Sequence, residues 1–525
     1  MKRVALLVIP LVVAAAPWGV HAADTAPPPA QRSPGMVEFP VLDVSVRPPA
    51  PLPAESKFVL QERLDRRQAA SLPIGLVRAS VLEGQLEVQL EQITPAVLAE
   101  SVQEEEARFN AVFGASLSRS KTEDFAGGST RGQAVTVGTT FPLRSGGSLT
   151  IGMPINVQQS PQKLAVASPS LTFTQPLARN AGVRINTSGL LRARIALDQG
   201  LAKAKLAVMN YLSHADQTYW RHWAAWQEVE IRHEQYELAK RQVGYAEETV
   251  KAGLIARVDI IRSESGVARR IEAIVLAENY RRQTERELKR IMNRPGWDLE
   301  GDAVLQPVSE PELVEWFPAP DKVLALAETN RMDLLDAQYR VAIAALDDEV
   351  ARNQLLPLLS FSLGYTSKNW SSQTSDAIGG VFDRKYPDWN VGLMLEIPFD
   401  NSAAIARRKK AALQQAASIE TLAARRRSIR KEVLDTIDQL RQSWQRILAA
   451  RQEIGTANQI YEAELEQFRH GMRTSTDVLN AAQLIADAKI RNVSAVLDLE
   501  LSKVNIAYAT GTTLGFAGFE LAPRR

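Results

Sequence analysis

The sequence is an internal duplication, and the repeated unit restricts the folds open to it. Gln175-Pro176-Leu177 has its counterpart in Ile397-Pro398-Phe399, each just before a long helix-forming stretch. Gly253, six residues before Asp259, has its counterpart in Gly471, six residues before Asp477. Further upstream, Glu106-Ala107-Arg108 and Val350-Ala351-Arg352 each introduce an alternating run. Each half is therefore predicted to be helix, strand pair, long helix, tight turn and returning helix.

The helix-forming stretches run over 180–292 and 402–510. In the second, Val433, Ile437, Leu440, Trp444, Ile447, Ile454, Tyr461, Leu465 and Phe468 recur at spacings of four and three. Arg451 and Asn458 fill the two skipped positions. This is the heptad seam of a coiled coil. Leu212, Ala215, Tyr219, Trp223 and Trp226 form a similar stripe in the first, where packing between helices accounts for the tryptophans. Unbroken helices over 182–250 and 402–469 would each reach on the order of 100 Å. That length suits a structure crossing a periplasm.

A short alternating pair precedes each long helix. Ala111–Ser120 and Leu171–Gln175 stand before the first, Leu358–Tyr365 and Asn390–Ile397 before the second. Gly, Ser, Thr and Asn separate them, as in exposed loops. Trp370, Tyr386 and Trp389 lie where an interfacial aromatic girdle is expected. Two more alternating stretches, Gln133–Phe141 and Ser148–Ile155, flank a turn at Leu143. Their pattern fits equally a hairpin that joins a membrane wall and one that decorates it.

Four strands per chain are too few for a self-contained barrel, which needs about eight. Unpaired edges are not tolerated in lipid, so identical copies are expected to complete the wall. Three chains of four strands give about twelve.

The first residues read as an export signal. Lys2 and Arg3 precede an apolar run over Val4–Ala16, and Val20-His21-Ala22 offers a cleavage site after Ala22. Residues 23–58 are a Pro-rich arm. The 62 basic and 60 acidic residues nearly cancel, which gives no field for nucleic acid. There is no cysteine, and so no disulfide or metal-thiolate site. No phosphate loop, metal-ligand spacing or nucleophile–base set is evident, so neither an enzyme nor a cofactor is expected.

These repeats resemble the TolC-like outer-membrane efflux proteins over roughly residues 60–512. NRMDLLDAQYRVAIAALDDEVARNQLLPLLSFSLGY (330–365), FRHGMRTSTDVLNAAQLIADAKI (468–490) and VKAGLIARVDIIRSE (250–264) carry the resemblance. It implies a mostly α-helical chain with a membrane β-barrel portion. Tandem long helical hairpins would form a coiled-coil tunnel, and about four strands per chain would complete a trimeric twelve-stranded barrel. The repeats would span 59–294 and 331–512, with an equatorial linker at 295–330 and a tail at 513–525.

The resemblance also implies roles for single residues. Gly253 and Gly471 would stand at the periplasmic turns. Asp477 would form an acidic ring in the constriction, where Asn480 replaces a second acidic residue of the family. Asp259 and Arg473 would link neighbouring hairpins, with Phe468 in place of a family tyrosine. Leu254, Ala256 and Met472, with Ala252, would let a coiled coil approach the tips. The implied partners are two further copies, outer-membrane lipid, a periplasmic adaptor (membrane-fusion) protein, and an inner-membrane transporter. That transporter would be of resistance-nodulation-division, ABC or major-facilitator type, and the location the outer membrane of a Gram-negative bacterium. A periplasmic adaptor or a structural coiled-coil envelope protein is the alternative reading.

Overall fold

The computed structural model describes residues 69–123, 129–160, 162–301, 303–383 and 386–518. The expected signal sequence and Pro-rich arm, residues 1–58, lie outside them.

The elements follow in chain order. Strand β1 (Ala69–Leu72) leads into helices α1 (Ile74–Gly84) and α2 (Leu86–Ala107). Five strands come next: β2 (Val112–Glu123), β3 (Ser129–Pro142), β4 (Ser148–Ser160), β5 (Leu164–Ala167) and β6 (Ser170–Pro176). The short α3 (Val183–Asn186) opens the 64-residue α4 (Ser188–Lys251), and α5 (Val258–Met292) returns. Strand β7 (Val304–Pro307) and helix α6 (Pro320–Asn330) begin the second half. Then come α7 (Met332–Asn353), β8 (Leu358–Ser371), α8 (Thr374–Gly379) and β9 (Tyr386–Glu396). The 68-residue α9 (Ser402–Arg469), its return α10 (Ser475–Ala509) and the terminal α11 (Thr513–Ala517) complete the chain.

The long helices reach about 95 and 100 Å at ~1.5 Å per residue. No single partner is that long. A 35-residue return helix and a 22-residue helix from before the strands lie end to end beside each. The two junctions are built alike. Where α5 ends against α1–α2, the Asn293 side chain donates to the Gly84 carbonyl at 2.9 Å. A Cβ on Gly84 would lie 2.6 Å from the Met292 carbonyl oxygen. Where α10 ends against α6–α7, a Cβ on Gly511 would lie 2.6 Å from the Asn330 carbonyl oxygen. Glycine lets two helix ends abut where a side chain would hold them apart.

The seam of α9 is buried as its spacing requires. Ile429, Val433, Ile437, Leu440 and Ile447 pack with Ala495, Val496, Leu499 and Ile506 of α10. In the first half, Leu72, Ala215, Tyr219, Trp220, Leu288 and Leu305 form an equatorial core where β1 pairs in parallel with β7. The Tyr219 hydroxyl donates to the Leu72 carbonyl, and Arg78 grips the fully buried Asp216 carboxylate at 2.7 and 2.9 Å. The tryptophans are thus part of the core.

All pairing among β2–β6, β8 and β9 is antiparallel, in the order β2, β3, β4, β6, β8, β9. Strand β5 continues β6 upward. Ile155 opposite Ala167 and Ile151 opposite Leu171 belong to a single unbroken register. Only the segment around Pro169, which has no N–H, divides them. The four strands expected from the alternating pairs are present as β2, β6, β8 and β9. The hairpin over 133–155 is not decoration: it lies within the sheet, between β2 and β6. Among the described residues six strands thus lie side by side in this sheet, β2, β3, β4, β6, β8 and β9.

Candidate functional site

The site of this molecule is a surface: the sheet wall and, at the far end of the hairpins, two turns. A strand turns successive side chains to opposite faces, and the registers carry that alternation across the whole sheet. One face bears Phe113, Leu117, Val137, Phe141, Leu149, Ile151, Leu171 and Phe173, then Phe361, Leu363, Val391 and Leu393. The opposite face bears Ser116, Ser118, Thr136, Gly138, Thr150, Gly152, Thr172, Ser362, Gly364 and Asn390. From Leu359 to Tyr365 the apolar band rises about 20 Å, close to the ~25 Å of a barrel's lipid-facing belt.

At the outer limit of that band Tyr365 stands opposite Trp389, and both are exposed. This pair fits the expected girdle. Trp370 and Tyr386 fall out of phase with it. They turn to the polar face and border a recess with Leu164, Val166 and Lys368. Above the band on the apolar side, α8 and the 3-10 turn that follows it (Gly380–Asp383) cover the sheet. Ala377 and Val381 pack on Ala165 and Ala167, and Asn369 donates to the Asp376 and Ala377 carbonyls. Sequence reading missed β5 and α8, because both lie in loop-like composition.

Two edges end the sheet. Strand β2 pairs only with β3, and β9 only with β8, among the described residues. Both outermost strands are almost wholly exposed. Each carries large apolar side chains, among them Phe113, Leu117, Val391 and Leu393. An edge of that kind on an isolated chain is an invitation to pair.

At the opposite end, α4 and α9 close with the same turn. Gly253 and Gly471 have φ of 77° and 73°. The Leu254 N–H bonds the Thr249 carbonyl at 3.1 Å, and the Met472 N–H bonds the Gln467 carbonyl at 3.0 Å. These six-to-one bonds satisfy helix-end carbonyls and require a left-handed residue between them. Leu254 and Met472 are exposed on the tips.

The residues assigned to a constriction are placed as follows. The Asp477 carboxylate accepts from the Thr474 hydroxyl at 2.7 Å and the Thr474 N–H at 3.0 Å, capping α10. Those bonds hold its carboxyl below the usual carboxylate range. Asp259 and Arg473 are not joined within the chain. Asp259 pairs with Arg262 at 3.1 Å, while Arg473 reaches Glu464 at 3.2 Å and Gln467 at 2.9 Å. Phe468 is fully buried and packs with Ala246 and Val478, binding the two hairpins together. Asn480 borders a cleft of about 580 Å³ whose walls include Arg232, Arg262, Arg269 and Arg270. Sequence reading also passed over Ser263 and Ser475, whose buried hydroxyls meet at 2.5 Å between the hairpins.

With this geometry in view, the comparisons with known proteins bear on it directly. Residues 323–512 match the family model for outer membrane efflux proteins. The chain is similar to the outer membrane protein TolC of Vibrio cholerae, 24% identical over 70% of this chain and 81% of that one. The fold resembles the outer-membrane channel OprN, with a TM-score of 0.64 and 15% identity over 84% of this chain and 90% of that one. It likewise resembles the Campylobacter jejuni CmeC outer membrane channel, with a TM-score of 0.63 and 15% identity over 85% and 86% of the two chains. The second repeat matches the outer membrane efflux protein model, and the fold is TolC-like. In this TolC-like chain the two-faced sheet and the hairpin turns lie at opposite ends of the long helices.

Proposed function

We propose that three copies of this chain join β2 of one to β9 of the next, closing a barrel in the outer membrane. Their hairpins continue it as a helical tunnel, the exit duct of a tripartite efflux or type I secretion system. One observation carries the reading: a sheet with one apolar and one polar face ends in two long, unpaired edges. Strands β2 and β9 run in opposite senses, so joining them extends the antiparallel order without a break. Cyclic repetition removes every edge, which lipid requires.

At the entrance, Asp477 and Asn480 border the narrowing, and Asp259 and Arg473 face neighbouring copies. Inside the chain Asp259 pairs with Arg262 and Arg473 with Glu464, so a link between copies would exchange these local partners. Phe468 supports the arrangement by packing and not by a hydroxyl. The exposed Leu254 and Met472, with the small Ala252, Gly253, Ala256 and Gly471, form the surface for a periplasmic adaptor (membrane-fusion) protein. That adaptor connects the duct to an inner-membrane transporter.

Mass measurement of the detergent-extracted protein, together with membrane fractionation, tests the proposal. Three copies in the outer-membrane fraction are expected. A folded monomer, or a protein confined to periplasm or inner membrane, overturns it. Crosslinking from Leu254→Cys or Met472→Cys to a co-expressed adaptor tests the tips separately.

A further inference from the structure

The β3–β4 hairpin is the part of the wall that the shared pattern does not account for. Three observations bear on where it lies. First, its alternation is in phase with its neighbours. Val137 stands opposite Met153 and Thr139 opposite Ile151, which continues opposite Leu171 of β6. A slip of one residue would carry its whole apolar set to the other face. Second, its polar face matches the rest, with Thr140 and Thr150 joined hydroxyl to hydroxyl at 3.2 Å.

Third, its turn is fastened into the base of the wall. The Ser145 hydroxyl donates to the Gln175 side-chain oxygen at 2.8 Å, and the Gln175 amide donates to the Ser145 carbonyl at 3.1 Å. The Gly182 N–H bonds the same carbonyl at 3.1 Å. A Cβ on Gly146, at φ 94°, would lie 2.4 Å from the Asn180 carbonyl oxygen. The Arg144 guanidinium lies over the Phe109 ring. A decorative hairpin has no need of these ties.

We infer that β3 and β4 are spanning strands, so that three copies close an eighteen-stranded barrel in place of a twelve-stranded one. This rests on the trimeric reading above. Barrel diameter grows roughly linearly with strand number, so the lumen is about 1.5 times wider and about twice as large in cross-section. Its lining is mostly Ser, Thr, Gly and Asn, and the Lys368 and Asp388 charges on that face pair with each other. A wide, hydroxylated and nearly neutral bore fits bulky hydrated cargo, such as glycan or extended polypeptide, better than it sorts small ions.

The absence of native cysteine gives a clean background for the test. Single cysteines at Val137, Ile151, Thr136 and Thr150 would be exposed in intact cells to a membrane-impermeant maleimide. Those at Thr136 and Thr150 should react roughly ten-fold faster or more, since a thiol in apolar surroundings resists ionisation. Equal reactivity at all four positions overturns the inference, whatever the number of copies. Cryo-electron microscopy of the detergent-extracted channel then counts strands. Six per copy is expected, and four per copy with the hairpin outside the wall overturns it. A monomer with alternating reactivity would instead sink the trimeric reading and leave the hairpin in the membrane.

Discussion

The Arg331 guanidinium holds both carboxylate oxygens of Glu432, at 2.9 and 3.0 Å, and so ties the start of α7 to the middle of α9. The same group takes Asp333 at 2.8 and 3.0 Å, lies over the Tyr508 ring and reaches the last carbonyls of α10. It is 5% exposed at the junction where two short helices meet end to end. Burial alone would weaken its charge, but the two carboxylates more than offset this and hold Arg331 charged and Asp333 ionised.

Arg331→Met is therefore expected to destabilise the equatorial region by about 3 kcal/mol, because Glu432 loses its partner and Asp333 keeps only Arg425. Thermal unfolding of the extracted protein checks this. Arg331→Lys should recover only part of the loss, since an ammonium cannot bind a carboxylate in a fork. An unchanged melting temperature in both variants would show the junction to be held by packing alone.

Acid should weaken the first repeat through His222. The ring is fully buried between Thr284 at 2.9 Å and the Leu305 carbonyl at 2.8 Å, and desolvation pushes its pKa down to about 4. Unfolded, it titrates near 6.5. The unfolded chain therefore takes up a proton that the folded chain refuses. Stability is intact above pH 6.5 and declines as pH falls toward about 4, by up to about 3 kcal/mol. Denaturant titrations at pH 7 and pH 5 measure it, and His222→Gln should flatten the difference.

A charge on the apolar face of β9 should block insertion. Leu393→Arg places a cation in the middle of the band opposite Phe361, at a cost of about 2–4 kcal/mol at midplane depth. Thr172→Arg, on the polar face, should be tolerated. Heat-modifiable mobility of the outer-membrane fraction distinguishes them, and equal tolerance would contradict the assignment of faces.

The turn glycines should not accept a β-branched residue. Gly471→Val forces a side chain into a left-handed backbone at φ 73°, at a cost of about 1–2 kcal/mol, and should loosen the tip. Increased single-channel conductance together with faster proteolysis near the turn is expected. Parent-like behaviour in both would mean that the turn has an alternative path.

Heptad spacing made the long helices legible, and the paired glycines located both turns. The wall was only half legible. Alternation in Gln133–Phe141 and Ser148–Ile155 showed that two strands exist, but period two carries no information on which strand is the neighbour. That required the ties between Ser145 and Gln175, thirty residues apart. The Asp477 cap is readable from Thr474 three residues before it, the pair forming a capping box. Within one chain Asp259 and Arg473 each have a local partner, so the sequence of a single copy does not determine a link between them.

The bare outer margins of β2 and β9 have a genetic consequence. If no copy can finish its wall alone, a subunit with a spoiled margin does not merely fail; it also occupies a place beside sound ones. In a cell making equal amounts of sound and spoiled chains, random threefold mixing leaves only about one assembly in eight wholly intact. Lesions along these two strands should therefore act dominantly, whereas lesions that prevent the chain from folding should be recessive.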